Sequence, residues 1–388
     1  MVAPATAGNE QRRAFRREQV LRLLATLGPL TRVQICSLLE LSRGAGAGLV
    51  ADLLGAGLIT ESADDPEGRV AGRPPKLLRL APPQGSFLAV SLGHDAVTVA
   101  VADGSGTIRS RQSRPCEHFT PIDTQLATAA SLVAGLVADD DDSERTVVVS
   151  RLGPAEPIDG LEVLGGRVLV NNDANLAAFG ELTFGAGQGA RNLLYVRVVT
   201  ATGGGLVIEG RIHSGSNGHA GDVGHLPIEG GDWLCWCGLV GCAGRVINGD
   251  AMVRELREVF PQVTSFADIE KAAAHRVPVV EVFLRRTGRK LGRAIAGLVG
   301  VADLDCLVID GALGSAGAPF IVGVKEALDA YTFPGTSPHL RVELGAFGEG
   351  ADLHGAIALG IAAATPTPLP AFATTRAFAR DMRQLSVT

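Results

Sequence analysis

The sequence is poor in several features that define large classes of proteins. No run of eighteen apolar residues occurs in its 388 positions, and no apolar core follows the charges of the N-terminal stretch, so we predict neither a membrane span nor a secretory signal. Aromatic residues make up only 4% of the chain, and six cysteines over this length do not form a disulfide framework. We therefore expect a cytoplasmic protein with no membrane partner.

What is present predicts a globular protein of two or three domains. Hydrophobic residues make up 46% of the chain, which is enough for packed cores. The net charge is −6, yet residues 1–80 hold eleven Lys/Arg against eight Asp/Glu. An acidic protein with a mildly basic head can bind nucleic acid if the basic residues share one face.

Residues 14–80 have the pattern of a winged helix-turn-helix. Apolar residues recur at helical spacing over 14–27, Thr31 to Gln34 has capping-box form, and Ser42 is placed to cap a third helix that runs to about Leu54. Two short apolar strands follow, at 58–60 and 76–80. The second helix is expected to carry Val33, Cys36 and Leu39 inward.

In such a head, the second helix of the pair enters the major groove of DNA and its N-terminal residues reach the bases. A Gly-Arg-Pro-Pro unit in the loop before the last strand is suited to place a guanidinium in a narrow minor groove. The alternative is a head that serves dimerisation or protein docking. The candidate DNA contacts are Arg16, Arg17, Ser42, Arg43, Ala45 and Arg73.

The rest of the chain alternates strands with helices, which indicates an α/β architecture. We predict a head over 1–80, a linker over 81–86, an effector and oligomerisation domain over 87–364, and a flexible tail over 365–388. Four residues in the middle, His225, Cys235, Cys237 and Cys242, have the residue types and number of a closed, structural zinc site. Trp233 and Trp236 flank this set and are expected to shield it. The alternative is a chance cluster of buried thiols.

These features together resemble the ROK family of repressors and sugar kinases. The resemblance covers about residues 14–362 and is carried by the winged helix-turn-helix, Asn172-Asp173-Ala174-Asn175, the Gly221–His225 stretch and the Cys-x-Cys-Gly-x-x-Gly-Cys run. It implies an α/β fold in which the winged helix-turn-helix is followed by an actin-like, two-lobed ATPase domain with a structural zinc ion. It also implies a homodimer or homotetramer on a palindromic operator, in the control of sugar uptake and catabolism.

Compared with the family's kinase members, this sequence is altered at the phosphate-binding positions. Ser91 stands in place of an aspartate, Ala201 in place of a glycine, and Asp310 puts a carboxylate where nucleotide would need neutrality. Alanine hinders the positive φ angles that a phosphate-cradling backbone uses. Together the changes argue against ATP binding and against enzyme activity.

The resemblance also implies a sugar site that is only partly intact. Asp173 matches the catalytic base and is expected to be vestigial, while Asn172, Asp222 and His225 match sugar contacts; Gly244 replaces a family glutamate. The alternative for Asp173 is a hydrogen-bonding residue at a helix start, where a carboxylate suits the helix dipole.

We therefore expect a DNA-binding transcriptional regulator, specifically a repressor, with a sugar or sugar-phosphate effector. Two other functions stay open at this point. One is a sugar kinase with an appended head, and the other is a regulator without a small-molecule effector, controlled by a protein partner or by zinc and redox state.

Overall fold

A computed structural model describes residues 9–62, 76–118, 120–137, 145–153, 158–198, 202–228, 230–311, 313, 316–335 and 339–365. Arg73, the candidate minor-groove contact, and all of the predicted tail beyond Thr365 lie outside these residues. The chain divides into two compact units, one formed by residues 1–84 with 362–388 and the other by 85–361.

The head unit is a winged helix-turn-helix, as the sequence predicted. Thr31 caps the second helix in a capping box with Gln34, and the Ser42 hydroxyl accepts a hydrogen bond from the Ala45 amide at the start of the third. The three strands form one antiparallel sheet of order β1-β3-β2. The elements are α1 (Asn9–Leu27), β1 (Leu30–Thr31), α2 (Arg32–Leu38), α3 (Arg43–Gly55), β2 (Ile59–Ser62) and β3 (Leu77–Leu80).

The inward face of α2 differs from the prediction at one residue. Val33 is 75% exposed, and Ile35 is fully buried with Leu39 four residues later. Residues four apart share a helix face, whereas two residues apart they diverge by about 200°. Cys36 does contact α3, because a Cβ atom on Gly46 would lie 2.2 Å from its Sγ. Gly46 of α3 therefore allows the two helices to pack closely.

The second unit contains two five-stranded sheets, each with its own helices. Among the described residues, no helix combines the length and apolarity needed to cross a bilayer. The first lobe contains β4 (Phe87–Leu92), β5 (Ala96–Ala102), β6 (Ile108–Pro115), α4 (Ile122–Leu136), β7 (Thr146–Arg151), β8 (Arg167–Asn172) and α5 (Asp173–Phe184). The second lobe contains β9 (Leu193–Arg197), β10 (Gly203–Ile208), β11 (Arg211–Ile212), α6 (Ala243–Val246), α7 (Gly249–Arg257), α8 (Phe266–Ala274), α9 (Pro278–Val301), β12 (Cys306–Asp310), α10 (Gly317–Tyr331) and β13 (Arg341–Leu344). The last helix, α11 (Ala351–Ala364), contributes to the cores of both lobes.

Both sheets have the same topology. Their orders are β6-β5-β4-β7-β8 and β11-β10-β9-β12-β13, so the first strand of each lobe is central, its antiparallel meander lies on one side and two parallel strands lie on the other. Repetition of one strand order in two lobes confirms the predicted two-lobed, actin-like fold.

Helices α5 and α11 pack between the two sheets and cross at glycines. Leu176 of α5 and Ile357 of α11 belong to the core of the first sheet, whereas Ala177 of α5 belongs to that of the second. A Cβ atom on Gly355 would lie 1.7 Å from the Leu176 carbonyl oxygen, and one on Gly180 would lie 2.6 Å from the Gly355 nitrogen. The two backbones are therefore in direct contact. The start of α5 is held in this way at the cleft between the lobes.

Candidate metal centre and polar cleft

Four ligand atoms converge in the second lobe. The Nδ1/Nε2 or Sγ atoms of His225, Cys235, Cys237 and Cys242 all lie within 4.8 Å of one another. The Cys235 Sγ is 3.7 Å from the His225 Nδ1, and the Sγ atoms of Cys237 and Cys242 are 3.6 Å apart. Tetrahedral bonds of about 2.3 Å place two sulfur ligands about 3.8 Å apart. The predicted set therefore has the spacing of a four-coordinate metal site.

Two tight turns produce this convergence. The Cys235 amide donates to the Leu239 carbonyl at 2.7 Å, and Leu234 pairs with Val240 across a turn in which Gly238 has φ +90°. Gly241, at φ +79°, precedes Cys242. L residues with a side chain rarely adopt these φ values, so glycine is required there. The local sequence thus assembles the site.

Asp222 lies on the other side of the His225 imidazole. The Asp222 Oδ2 lies 3.9 Å from the His225 Nε2, and its Oδ1 accepts a hydrogen bond from the Gly224 amide at 3.2 Å. Asp222, matched by resemblance to a sugar contact, therefore lies next to the metal cluster.

The two tryptophans that were expected to shield the site lie in different surroundings. Trp236 is 87% exposed and meets His225 edge-on, with 5.1 Å between ring centroids. Trp233 instead carries the guanidinium of Arg254 on its face, 4.1 Å from the ring centroid. Burial of Cys242 raises its thiol pKa to about 12, whereas a hydrogen bond from the Leu239 amide lowers that of Cys237.

In the cleft, Asp173 is ion-paired. It begins α5 directly after Asn172, whose side chain caps the helix by accepting from the Asn175 amide at 2.9 Å. The Nη1 of Arg197, at the end of β9, lies 2.5 Å from the Asp173 Oδ2. Burial opposes the charge of Arg197, but the combined attraction of Asp173, Tyr195 and Asp352 outweighs it and raises the arginine pKa. Arg197 was not among the predicted site residues; its one sequence signal is a charged residue closing an apolar strand.

The glycine triplet Gly203–Gly205 joins the cleft to the metal cluster. It lies in strand β10, where Cβ atoms on Gly204 and Gly205 would meet the carbonyl oxygens of Gly221 and Ala174 at 2.3 and 2.2 Å. The residue before it is close to the metal segment, because a Cβ on Gly224 would lie 2.2 Å from the Thr202 carbonyl. These glycines permit backbone packing, and Ala201 lies outside the described residues.

Two further positions of the expected phosphate site are engaged within the protein. The hydroxyls of Ser91 and Ser150 both donate to the Oδ2 of buried Asp352 at 2.7 Å. The buried carboxyl of Asp310 accepts from the Tyr195 hydroxyl at 3.2 Å, and burial raises its pKa to about 6.

The head presents the N-terminus of α3 to solvent. Ser42, Arg43 and Ala45 are exposed, as are Gly44 and Gly48. Arg17 is half-buried on α1. Arg16 is also half-buried and donates to the Leu39 carbonyl oxygen at 3.2 Å, so its guanidinium holds α1 against the end of α2. A groove of about 410 Å³ between α1 and α3 is lined by Arg12, Arg13, Arg16, Gly44, Ala45 and Gly48, among others.

Comparison with known proteins identifies the family to which this architecture belongs. The ROK family model matches residues 160–363, which is more than half of the chain. The chain belongs to the ROK family. Both repressor-like and kinase-like ROK proteins are similar to it, over different lengths.

Similarity to ROK kinases covers part of the chain. The glucokinase of Halalkalibacterium halodurans is 31% identical over 204 residues, which are 48% of this chain and 62% of that protein. An N-acetylmannosamine kinase of Vibrio cholerae is 32% identical over 149 residues, or 51% of its length. The chain thus spans between half and two thirds of the length of these relatives.

Similarity to ROK regulators extends further. The xylose repressor of Caldicellulosiruptor bescii is 21% identical over 88% of this chain and 94% of its own. The DNA-binding transcriptional dual regulator NagC of Escherichia coli is 25% identical over 84% of this chain and 88% of its own. A solved ROK transcriptional regulator, described as a homolog of the E. coli MLC protein, matches with a TM-score of 0.71 at 22% identity over 92% of this chain. A ROK glucokinase from Streptomyces griseus matches at 0.61 over 71%.

Proposed function

We propose that this protein is a sugar-responsive DNA-binding transcriptional regulator, acting as a repressor. The observation that carries the proposal is a winged helix-turn-helix in the same chain as a ROK domain, because two curated ROK regulators align with both parts over most of their length. We further propose a structural zinc ion in the cluster His225, Cys235, Cys237 and Cys242. We also propose that the protein is a cytoplasmic homodimer or homotetramer and binds a palindromic operator.

The cleft supports a regulator over a kinase. A general base must be free to accept a proton, and the carboxylate of Asp173 is held by the Arg197 cation. The Asp310 carboxyl and the hydroxyls of Ser91 and Ser150 are bonded to other side chains. At Ser91 and Asp310, which depart from the kinase pattern, the side chains therefore bond within the protein.

The first test is DNA binding by the full-length protein. We expect genome-wide mapping of bound DNA to find palindromic sites, and Arg43→Ala to weaken operator binding about tenfold, since a specific base or phosphate contact is worth about 1–3 kcal/mol. Arg114→Ala, on an exposed part of β6, is the charge-matched control. Arg73→Ala is expected to weaken binding in the same assay. Wild-type protein that ignores its own genomic DNA would refute the proposal.

The second test is catalysis. We expect no sugar-dependent ATP hydrolysis with a broad panel of hexoses, measured by coupled release of ADP. Turnover that Asp173→Asn abolishes would establish the kinase alternative instead.

The third test concerns the effector, which we propose is a sugar or sugar phosphate held by Asn172, Asp173 and the neighbouring Asp222 and His225. Calorimetric titration with both ligand classes is expected to give a saturable signal that Asn172→Ala removes. Uniformly flat titrations would favour a regulator controlled by a protein partner or by zinc and redox state.

A further inference from the structure

A groove of about 870 Å³ on the second lobe belongs neither to the cleft nor to the metal cluster. Four cations of α9 line it at offsets 0, 3, 4 and 7, so they share one face of that helix. The facing wall is formed by the C-terminal half of α10, and the segment that follows His225 closes one side. The basic wall consists of Arg286, Arg289, Lys290 and Arg293; the other walls include Ala327, Ala330, Tyr331, Pro227 and Ile228.

The groove holds more positive than negative charge. Glu326 is shared by Arg289, at 2.7 Å, and Arg285. Glu255 of α7 is shared in the same way by Lys290, at 3.2 Å, and Arg286. The side chains of Arg286 and Arg289 are about half exposed. A guanidinium has five N–H donors, so each of these arginines retains donors for a ligand after pairing with a shared carboxylate.

We propose that this groove is a second ligand site, and that it binds a small phosphorylated molecule. Its volume falls within the range of small-molecule sites, which is about 300–1,000 Å³. Arginine forks match phosphate oxygens in pairs, and Arg286 to Arg293 span about 10 Å of helix, the length of a small phosphorylated molecule. Ala330 and the ring of Tyr331, over which the Arg293 guanidinium lies 5.1 Å from the centroid, provide an apolar surface for the organic part.

The site is mechanically connected to the metal cluster by two short routes. Glu255, which pairs with groove cations, follows Arg254, whose guanidinium lies on Trp233. Pro227 lines the groove and pairs with the metal-ligating Cys242 in a β-bridge. A bound phosphate competes with Glu255 for the same cations, so binding changes the surroundings of Trp233.

The two tryptophans of the chain, Trp233 and Trp236, both lie in the metal segment, which gives a direct readout. Full-length, zinc-loaded protein is titrated with pyrophosphate, inorganic phosphate and ribose 5-phosphate, followed by calorimetry and tryptophan fluorescence. We expect saturable binding with a fluorescence change, tightest for ligands with two phosphate groups or an organic part. Arg289→Ala should weaken binding about tenfold or more. Arg114→Ala should leave it unchanged.

A second variant distinguishes binding in the groove from nonspecific attraction of anions to positive charge. Ala330→Phe fills the groove without changing charge, and Ala330 is exposed, so the substitution is compatible with folding. It should block binding. Flat titrations with all three anions, or equal affinity in wild type, Arg289→Ala and Ala330→Phe, would overturn the proposal. A loss of DNA affinity in Arg289→Ala without any anion present would assign the surface to nucleic acid instead. No DNA enters the anion titrations, so their failure leaves the regulator proposal untouched.

Discussion

Asp173 and Arg197 form the pair that decides the chemistry of the cleft. Both side chains are mostly buried, with 13% and 19% exposed, and the Nε of Arg197 has no hydrogen-bond partner among the described residues. A buried cation that loses its counter-charge is costly, whereas replacing both partners by neutral groups costs far less. The pair therefore stabilises the cleft in the form seen here.

A double-mutant comparison tests this role. Asp173→Asn alone is expected to lower the free energy of unfolding by about 3–5 kcal/mol, because Arg197 stays buried without the carboxylate of Asp173. Asp173→Asn combined with Arg197→Met should recover most of that loss in urea unfolding. Equal losses in the single and the double variant would show that the pair does not stabilise the cleft.

Asp310 makes stability depend on pH. Its carboxyl has a pKa of about 6 in the folded protein, against about 3.9 in an unfolded chain. A folded pKa above the unfolded value means that the folded state binds more protons between these values, so stability falls as pH rises from about 4 to 6. Asp310→Asn removes the charge and should be more stable than wild type at pH 7.5, by up to about 3 kcal/mol. At pH 4 the difference should shrink, and urea unfolding at both pH values measures it.

At the scale of helices and strands, the sequence predicted the helix starts that carry capping residues, but it did not predict α11 or β6. The caps at Thr31 and Ser42 gave the starts of α2 and α3, because capping needs particular side chains next to the helix. Helix α11 was missed, since a helix packed on several sides has no polar face and no period to detect. Strand β6 was missed because its outward side chains are charged. The metal ligands could be predicted from their residue types. The pairing of Arg197 with Asp173 could not, because it depends on the end of β9 meeting the point where β8 passes into α5.

The crossing of α5 and α11 gives a prediction at this scale. Gly355→Ala would place a Cβ atom 1.7 Å from the Leu176 carbonyl, and overpacking of this kind costs about 1–3 kcal/mol or more. Gly297→Ala is the matched control in α9, where the added Cβ meets nothing within 4 Å. The control should instead stabilise the protein by up to about 1 kcal/mol through helix propensity. Thermal unfolding of both variants against wild type checks the opposite signs.

At the scale of the whole molecule, the metal cluster lies in a part of the second unit that has little regular structure. Among the described residues, the backbone hydrogen bonds of 225–242 belong to turns and isolated β-bridges, and the exposed side chains there include Leu234 and Leu239. We therefore expect the second unit to depend on metal for its stability, while the head, which has its own core, does not.

Metal removal tests this division. Chelation of purified protein, or Cys237→Ser, should lower the melting temperature of the second unit by about 5 °C or more and leave the transition of the head in place. Cys116→Ser, a cysteine outside the cluster, is the control. Metal content per chain and calorimetric unfolding are measured together. Wild-type protein that is metal-free and equally stable would contradict the structural role.

The glycine contact between α5 and α11 also limits how the two sheets can move. With no side chains between the backbones, translation along either helix axis would force a carbonyl against a neighbouring peptide group, whereas a small change of crossing angle would not. Asp173 lies seven residues from Gly180, about 10 Å along the helix, so a turn of about 10° displaces it by about 2 Å.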